Sequence, residues 1–383
     1  MEKFYYLDNA ATTKMFAEEF DIMKNQNESG FYNPSAAYIK ARNVNDELKK
    51  ARSVITRALK GTEGKLIFTS SATESNNTVF ECVHLRSGDA VLISKGEHPA
   101  VYNAAHRLEK KGIKVYECPL DETGKVDFEE FKKFDFSKIS LVSVMHVSNE
   151  TGAINDIKKL CEYAKSQNHS LMFHSDGVQA FGKIKVNLRN LGVDFYTISA
   201  HKVYAPRGIA GLWKKNGSVL DALLVGGGQE DGDRSSTENV DGAIAFAYAT
   251  EKTQNELEEN YNKVLCFKEN LLKKLHESEI DKFLVVNSTN ECSPYILSLT
   301  IRGVKGENIV NELDKYGIMI STGSACSAKK AGNRTLEAMG KSKDDIIGSV
   351  RISFSPYCDY DFYYIASSIV SVVMRFEKNN LVK

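Results

Sequence analysis

Two spacings of apolar residues run through this chain, and they trade places at short intervals. Between residues 38 and 60, Val44, Leu48, Ala51, Ile55 and Leu59 recur at steps of three and four, the buried face of a long helix that Gly61 closes. Leu66-Ile67-Phe68 then reads as a strand and 73–85 as a helix. Val91-Leu92-Ile93 is a strand, and 99–111 is a helix with Pro99 in its first turn. A short strand follows at 114–117, a strongly β-prone run at 141–147 and a helix at 157–167. Leu171-Met172-Phe173 and 193–198 are again strands. This alternation predicts an α/β fold, a mostly parallel sheet with helices on both faces. A long helical segment over 243–276 breaks the rhythm and reads as the bridge to a second, smaller α+β domain. That domain has strands at 295–301, 318–320 and 350–353 and helices at 307–316 and 360–375, the last burying Phe362, Ile365, Ile369 and Val372. The chain opens with a short strand that ends in the polar turn Asp8-Asn9-Ala10-Ala11-Thr12-Thr13.

Composition narrows the function classes. With 383 residues and 42% apolar content, one large and one smaller core are expected. Fifty basic and fifty acidic residues cancel, and there is no long basic run. Direct nucleic-acid binding is therefore not expected as the main activity, and charge gives no reason for membrane attachment. The first seven residues lack the apolar stretch of a signal peptide, and no apolar run is long enough to span a bilayer. Seven scattered cysteines without a CxxC pair fit free thiols in a reducing, cytoplasmic setting and do not fit a zinc cage.

The candidate chemistry gathers at strand ends, where open α/β sheets bind ligands. Ser199-Ala200-His201-Lys202 follows the strand ending at Ile198. A lysine held there can form a Schiff base with a carbonyl such as that of pyridoxal phosphate, or it can be a solvated surface charge. After Phe68 comes a hydroxyl-rich stretch, 69–75, leading into a helix. A helix start suits a phosphate, and Ser71 or Thr73 equally suits plain N-capping. His98 can stack on a flat ring and shuttle protons, or simply sit hydrogen-bonded at a helix start. Asn149 can donate to a ring oxygen or a carboxylate, or hold a turn. Asp176 can pair with a protonated pyridine nitrogen and keep it cationic, or be a turn aspartate. Gly226-Gly227-Gly228 leads to Arg234 and Thr237, a set that can contact phosphate. Cys326 stands in a segment of small residues, and the stretch 326–348 reads as mobile and exposed. An accessible thiol there can carry a group outward, or be a surface cysteine by chance. Arg351 can clamp a carboxylate with two parallel hydrogen bonds, or be an exposed strand arginine.

Taken in order, these residues resemble the class V aminotransferase family of fold-type I pyridoxal-phosphate enzymes, and more closely the cysteine desulfurases of the IscS/NifS type. The resemblance rests on Tyr6-Leu7-Asp8-Asn9-Ala10-Ala11-Thr12-Thr13, Asn33-Pro34-Ser35, the stretch 68–76, Glu97-His98, Ser148-Asn149-Glu150-Thr151-Gly152, Asp176-Gly177-Val178-Gln179, Ser199-Ala200-His201-Lys202, Gly226-Gly227-Gly228-Gln229-Glu230, Gly323-Ser324-Ala325-Cys326 and Arg351. It spans the chain, and Gly-Ser-Ala-Cys matches the long-loop branch. Tyr38 stands where many relatives have histidine, and Ser236 where they have glycine. The segment between Cys326 and Arg351 is a few residues shorter than in close long-loop relatives.

The resemblance implies a large cofactor-binding domain, 13–255, and a small domain, 1–12 with 256–383, carrying the cysteine loop. It implies that Lys202 holds pyridoxal 5′-phosphate, that His98 stacks on its ring and that Asp176 pairs with the ring nitrogen. Gln179 and Asn149 would contact the ring hydroxyl or substrate. Thr73, Ser199 and His201 would hold the phosphate, with Ala72 and Ala200 beside them, and Thr237 would reach it from the other subunit of a homodimer. Arg351 would grip the carboxylate of L-cysteine, Lys202 would take the Cα proton, and His98 would accept a thiol proton. Cys326 would attack the substrate sulfur, releasing L-alanine and keeping a persulfide for acceptor proteins in iron–sulfur cluster assembly, tRNA or DNA thiolation. A selenocysteine lyase or another lyase or transaminase on the same fold, and a catalytically inactive scaffold, are the competing expectations.

Overall fold

A computed structural model describes residues 4–289, 291–323 and 333–380. Its strands are, in chain order, β1 (Tyr5–Tyr6), β2 (Gly64–Thr69), β3 (Ala90–Ser94), β4 (Lys114–Cys118), β5 (Ile139–Ser143), β6 (Met172–Asp176), β7 (Phe195–Ser199), β8 (Ala210–Lys215), β9 (Leu284–Val286), β10 (Ile296–Ile301), β11 (Ile318–Met319) and β12 (Ser349–Ser353). Seven form one sheet in the order β2-β8-β7-β6-β5-β3-β4. Only β8 runs against its neighbours, so the sheet is mostly parallel, as expected. Within it Leu66-Ile67-Phe68 and Val91-Leu92-Ile93 are unbroken apolar runs because both faces of the sheet are covered. Leu66, Phe68 and Leu92 enter the cluster on one face, while Ile67, Val91 and Ile93 enter the cluster on the other.

A second core lies apart from that sheet. β12, β10 and β9 form an antiparallel sheet, and β1 pairs with β11 in parallel. Tyr5 and Leu7 pack there with Leu271, Leu299, Ile352, Ile365 and Ile369. Leu336 and Met339 instead join the first core.

Several expectations are corrected. The segment 243–276 is two helices, Val240–Asn255 and Leu257–His276, separated at Glu256, whose backbone (φ −99°, ψ 6°) leaves the helical region. The break lets each half face a different core: Phe246 joins the first, while Val264, Leu271 and Leu275 join the second. The run 141–147 is regular only to Ser143. Beyond it the N–H groups of Val144 and His146 still bond to the carbonyls of His174 and Asp176 along β6. The C-terminal helix is longer than predicted, Phe362–Asn380. Residues 333–348 are not an open loop: helices Arg334–Ala338 and Lys343–Ile347 stand there, with Thr335 and Leu336 buried.

The helix Glu18–Ser29 has no counterpart in the apolar pattern, and it buries Glu19 completely. Neither Glu19 carboxyl oxygen has a hydrogen-bond partner. Burial, with the Glu18 charge beside it, pushes this carboxyl up to about 8. A raised carboxyl favours the fold at low pH, where it stays protonated, and that contribution is lost as pH rises from 4.5 towards 8. Glu19→Gln is expected to raise Tm by several degrees at pH 8 and hardly at all at pH 4.5. Thermal melts at the two pH values check this, and an equal gain at both would contradict it.

Candidate active site

A cavity of about 580 Å³ opens at the ends of β6 and β7, and the N-terminal segment 8–12 forms one wall of it. Ala72, Thr73, His98, Asn149, Asp176, Gln179, Ser199, His201, Lys202 and Arg351 all line it. Ala200 is fully buried behind it. Thr237 is exposed and lines an adjoining cleft of about 160 Å³ that shares Ser70, Gly208 and Ile209 with the first. Cys326 lies outside the described residues.

Lys202 ends a short 3₁₀ turn, Ala200–Lys202, directly after β7. Its amine donates to the carbonyls of Ala10 and Ala11, at 2.5 Å each. Burial and then the Arg351 charge bring it down to about 8, within reach of a neutral amine near physiological pH. His201 meets Thr12 Oγ1 at 3.1 Å, and burial lowers it to about 4, so it is neutral.

Asp176 closes β6. Its Oδ1 accepts from the Val178 N–H at 3.0 Å and its Oδ2 from Asn76 Nδ2 at 2.8 Å. A carboxylate has further lone pairs beyond these two bonds, so it can still take a proton donor from the cavity. Gln179 donates from Nε2 to the Ala10 carbonyl at 2.8 Å and accepts from buried Lys183 at 2.7 Å.

The helix Ala72–Cys82 starts at the cavity, and Ser71, not Thr73, is its N-cap, accepting from the Glu74 N–H at 3.1 Å. The N–H groups of the first helical residues, Ala72 and Thr73, have no partner within the helix and suit an anion. His98 caps the helix Pro99–Arg107 through Nδ1, which accepts from the Ala100 N–H at 3.1 Å. Burial lowers its pKa, so it is neutral with its proton on Nε2. His98 therefore presents a donor, and it can take up a proton only if Nδ1 gives up the Ala100 bond.

Arg351 is 4% exposed, not the exposed strand arginine of the alternative reading. It donates to Asp8 Oδ1 at 2.8 Å and to the Asn149 carbonyl at 2.9 Å, with Glu150 Oε1 at 3.8 Å. Its Nε is buried without a hydrogen-bond partner, a donor left over for an acidic ligand. Glu150 also accepts from Asn149 and Asn333, at 2.8 and 2.7 Å. We expect Arg351→Lys to raise KM for an amino-acid substrate roughly tenfold or more, with kcat changed less, because one point charge replaces a planar fork. Steady-state kinetics check this, and an unchanged KM would contradict it.

Asp8 and Asn76 also line the cavity, and Glu150 and Lys183 bond to Asn149 and Gln179 that line it, although the apolar and polar pattern gave none of the four a role. Asp8, Asn76 and Glu150 stand within the motifs that carry the resemblance, which is the one signal available; Lys183 stands in none of them. The set fits pyridoxal 5′-phosphate: a depressed lysine amine for its carbonyl, a carboxylate for its ring nitrogen, a helix start for its phosphate and a neutral imidazole beside them.

The sequence profile of the Aminotransferase class-V family matches residues 5–361. The cysteine desulfurase IscS of Dictyoglomus turgidum is 34% identical over 361 residues, covering 93% of this chain and 91% of its own. A solved NifS-like protein superposes with a TM-score of 0.86 at 28% identity, covering all of both chains. SspA, solved in complex with cysteine, superposes with a TM-score of 0.77 at 26% identity, covering 92% of this chain and 99% of its own. The chain belongs to the class-V aminotransferase family. Within that family it stands with the cysteine desulfurases.

Proposed function

We propose that this chain converts L-cysteine to L-alanine, moves the sulfur to Cys326 as a persulfide and passes it to acceptor proteins in iron–sulfur cluster assembly or in tRNA or DNA thiolation. It would work in a reducing compartment, the cytoplasm, as a homodimer, with 13–255 as the cofactor domain and 1–12 with 256–383 as the small domain. The observation that carries the reading is the placement of Lys202 and Asp176 at the ends of two adjacent parallel strands, both lining the cavity that Arg351 also lines.

Lys202 would hold pyridoxal 5′-phosphate, Asp176 its ring nitrogen, Thr73, Ser199 and His201 its phosphate, and His98 its ring face, with Thr237 reaching in from the other subunit. When bound, the cofactor supplies an electron sink for negative charge developing at the substrate Cα. Arg351 orients the substrate by its carboxylate. The Lys202 amine would take the Cα proton; a base near pKa 8 serves this at neutral pH. Asp176 would accept from the ring nitrogen and favour its protonated form. His98 offers its Nε2–H to the pocket while the substrate thiol reacts.

The sulfur step balances without an outside oxidant. Cys326 as thiolate attacks the substrate sulfur, the Cβ–S bond breaks and an S–S bond forms. The electron pair stays on Cβ, which takes a proton to become the alanine methyl group. The sum is cysteine plus enzyme thiol giving alanine plus enzyme persulfide, and the thiolate requirement follows from thiol chemistry. Alanine formed in equal amount to sulfide, from L-cysteine with a thiol reductant, tests the reading. Alanine without sulfide, or neither, would overturn it.

A further inference from the structure

Lys183 is 3% exposed and forms no ion pair with any described residue. A buried cation without a counter-charge is costly, and a methionine would fill the same space without that cost. Among the described residues its one hydrogen bond goes to Gln179 Oε1 at 2.7 Å. Gln179 Nε2 in turn donates to the Ala10 carbonyl, and Lys202 donates to that same carbonyl. The chain from Lys183 through Gln179 and Ala10 thus ends on the Lys202 amine.

An amide side chain has two nearly isosteric orientations, and its surroundings choose between them. In its protonated form, the one present below about pH 7, lysine has three donors and no acceptor and so tolerates only the amide oxygen. The Ala10 carbonyl tolerates only the amide nitrogen. Together they hold Gln179 in one orientation, and Nε2 keeps its second N–H for the cavity that Gln179 lines.

We propose that Lys183 is a positioning residue of this pocket: it latches the Gln179 amide so that a donor faces the ring oxygen of pyridoxal 5′-phosphate, and its charge stands behind Lys202. The inference rests on the reading above. The groups that face Lys183 agree with it. Lys202 and Arg351 are both cations acting on it, and the Tyr295 ring centre lies 6.0 Å from its amine. Burial, with those two charges adding, brings Lys183 down to about 7.

The test uses the holoenzyme with Lys183→Met, Gln179→Ala and the double variant. The midpoint at which the bound cofactor's absorbance titrates is expected to rise by about one pH unit in Lys183→Met, because a like charge and a donor to the ring oxygen are both lost. Its kcat for alanine formation is expected to fall roughly tenfold. Because Lys183 sets kcat through Gln179, the double variant's kcat should be no lower than that of Gln179→Ala alone, to within about twofold, while its titration midpoint still carries the share due to the lost charge. A Lys183→Met titration and kcat indistinguishable from wild type, or kcat losses that multiply in the double variant, would overturn the inference and leave the proposed function standing. A wild-type protein that takes up no pyridoxal 5′-phosphate would remove both.

Discussion

Lys202→Ala is expected to leave the protein folded and to abolish turnover of L-cysteine, by at least about a thousandfold, or roughly 4 kcal/mol of barrier. The lysine has two duties at one atom. On the proposed reading it would hold the cofactor's carbonyl and would also take the Cα proton. The surroundings suit the second duty, because burial and Arg351 lower the amine to about 8 and so leave a usable fraction neutral near pH 7. The two carbonyls of residues 10 and 11 hold it in place without neutralising it. The fold should survive, since Lys202 sits at the cavity wall and its loss opens space there. Cofactor absorbance and alanine release on the purified variant check this. A variant that still turns over cysteine at more than a few per cent of the wild-type rate would contradict it.

Asp176→Asn is expected to cost about two to three orders of magnitude in kcat. Removing one partner of a buried charge pair costs about 3–5 kcal/mol, which spans that range and beyond at a tenfold per 1.36 kcal/mol. The mutation also breaks local order. Asp176 accepts from both Val178 N–H and Asn76 Nδ2, whereas an asparagine has one oxygen for the two donors. On the proposed reading Asp176 would favour a protonated ring nitrogen, and the amide would not, so less negative charge developing at Cα could be taken up. The proposed grip of Arg351 on the substrate carboxylate would be untouched, so KM should move much less than kcat. The kcat/KM split measures this, and an equal loss carried wholly by KM would contradict it.

The sheet and most of the site were legible because both leave local marks. A buried parallel strand is a short apolar run, and a ligand-binding strand end is a polar residue just past it. Lys202, Asp176, Asn149 and His98 stand out that way, and all four line the cavity. What could not be read is set by contacts far apart in sequence. The carbonyls of Ala10 and Ala11 reach Lys202 across about 190 positions, and nothing in either stretch signals the meeting. Lys183 looks like a surface lysine in a turn until the fold buries it. The direction of His98 depends on one backbone N–H two residues on, so the bond that Nδ1 accepts from Ala100 appears only in three dimensions. The helix break at Glu256 was hidden because helical spacing continues on both sides while the buried face turns from one core to another. Residues 333–348 carry the composition of a loop, yet Asn333 and Ser342 act as N-caps, which is where such residues belong.

The measurement that bears most directly on the central claim is release of alanine and sulfide from L-cysteine with a thiol reductant, for wild type beside Cys326→Ala, both loaded with pyridoxal 5′-phosphate. Wild type should release the two products in equal amounts, and the variant neither, while its cofactor absorbance stays that of the wild type. A variant that matches wild type in both products would show that Cys326 does not receive the sulfur and that the chain is a different lyase on this fold.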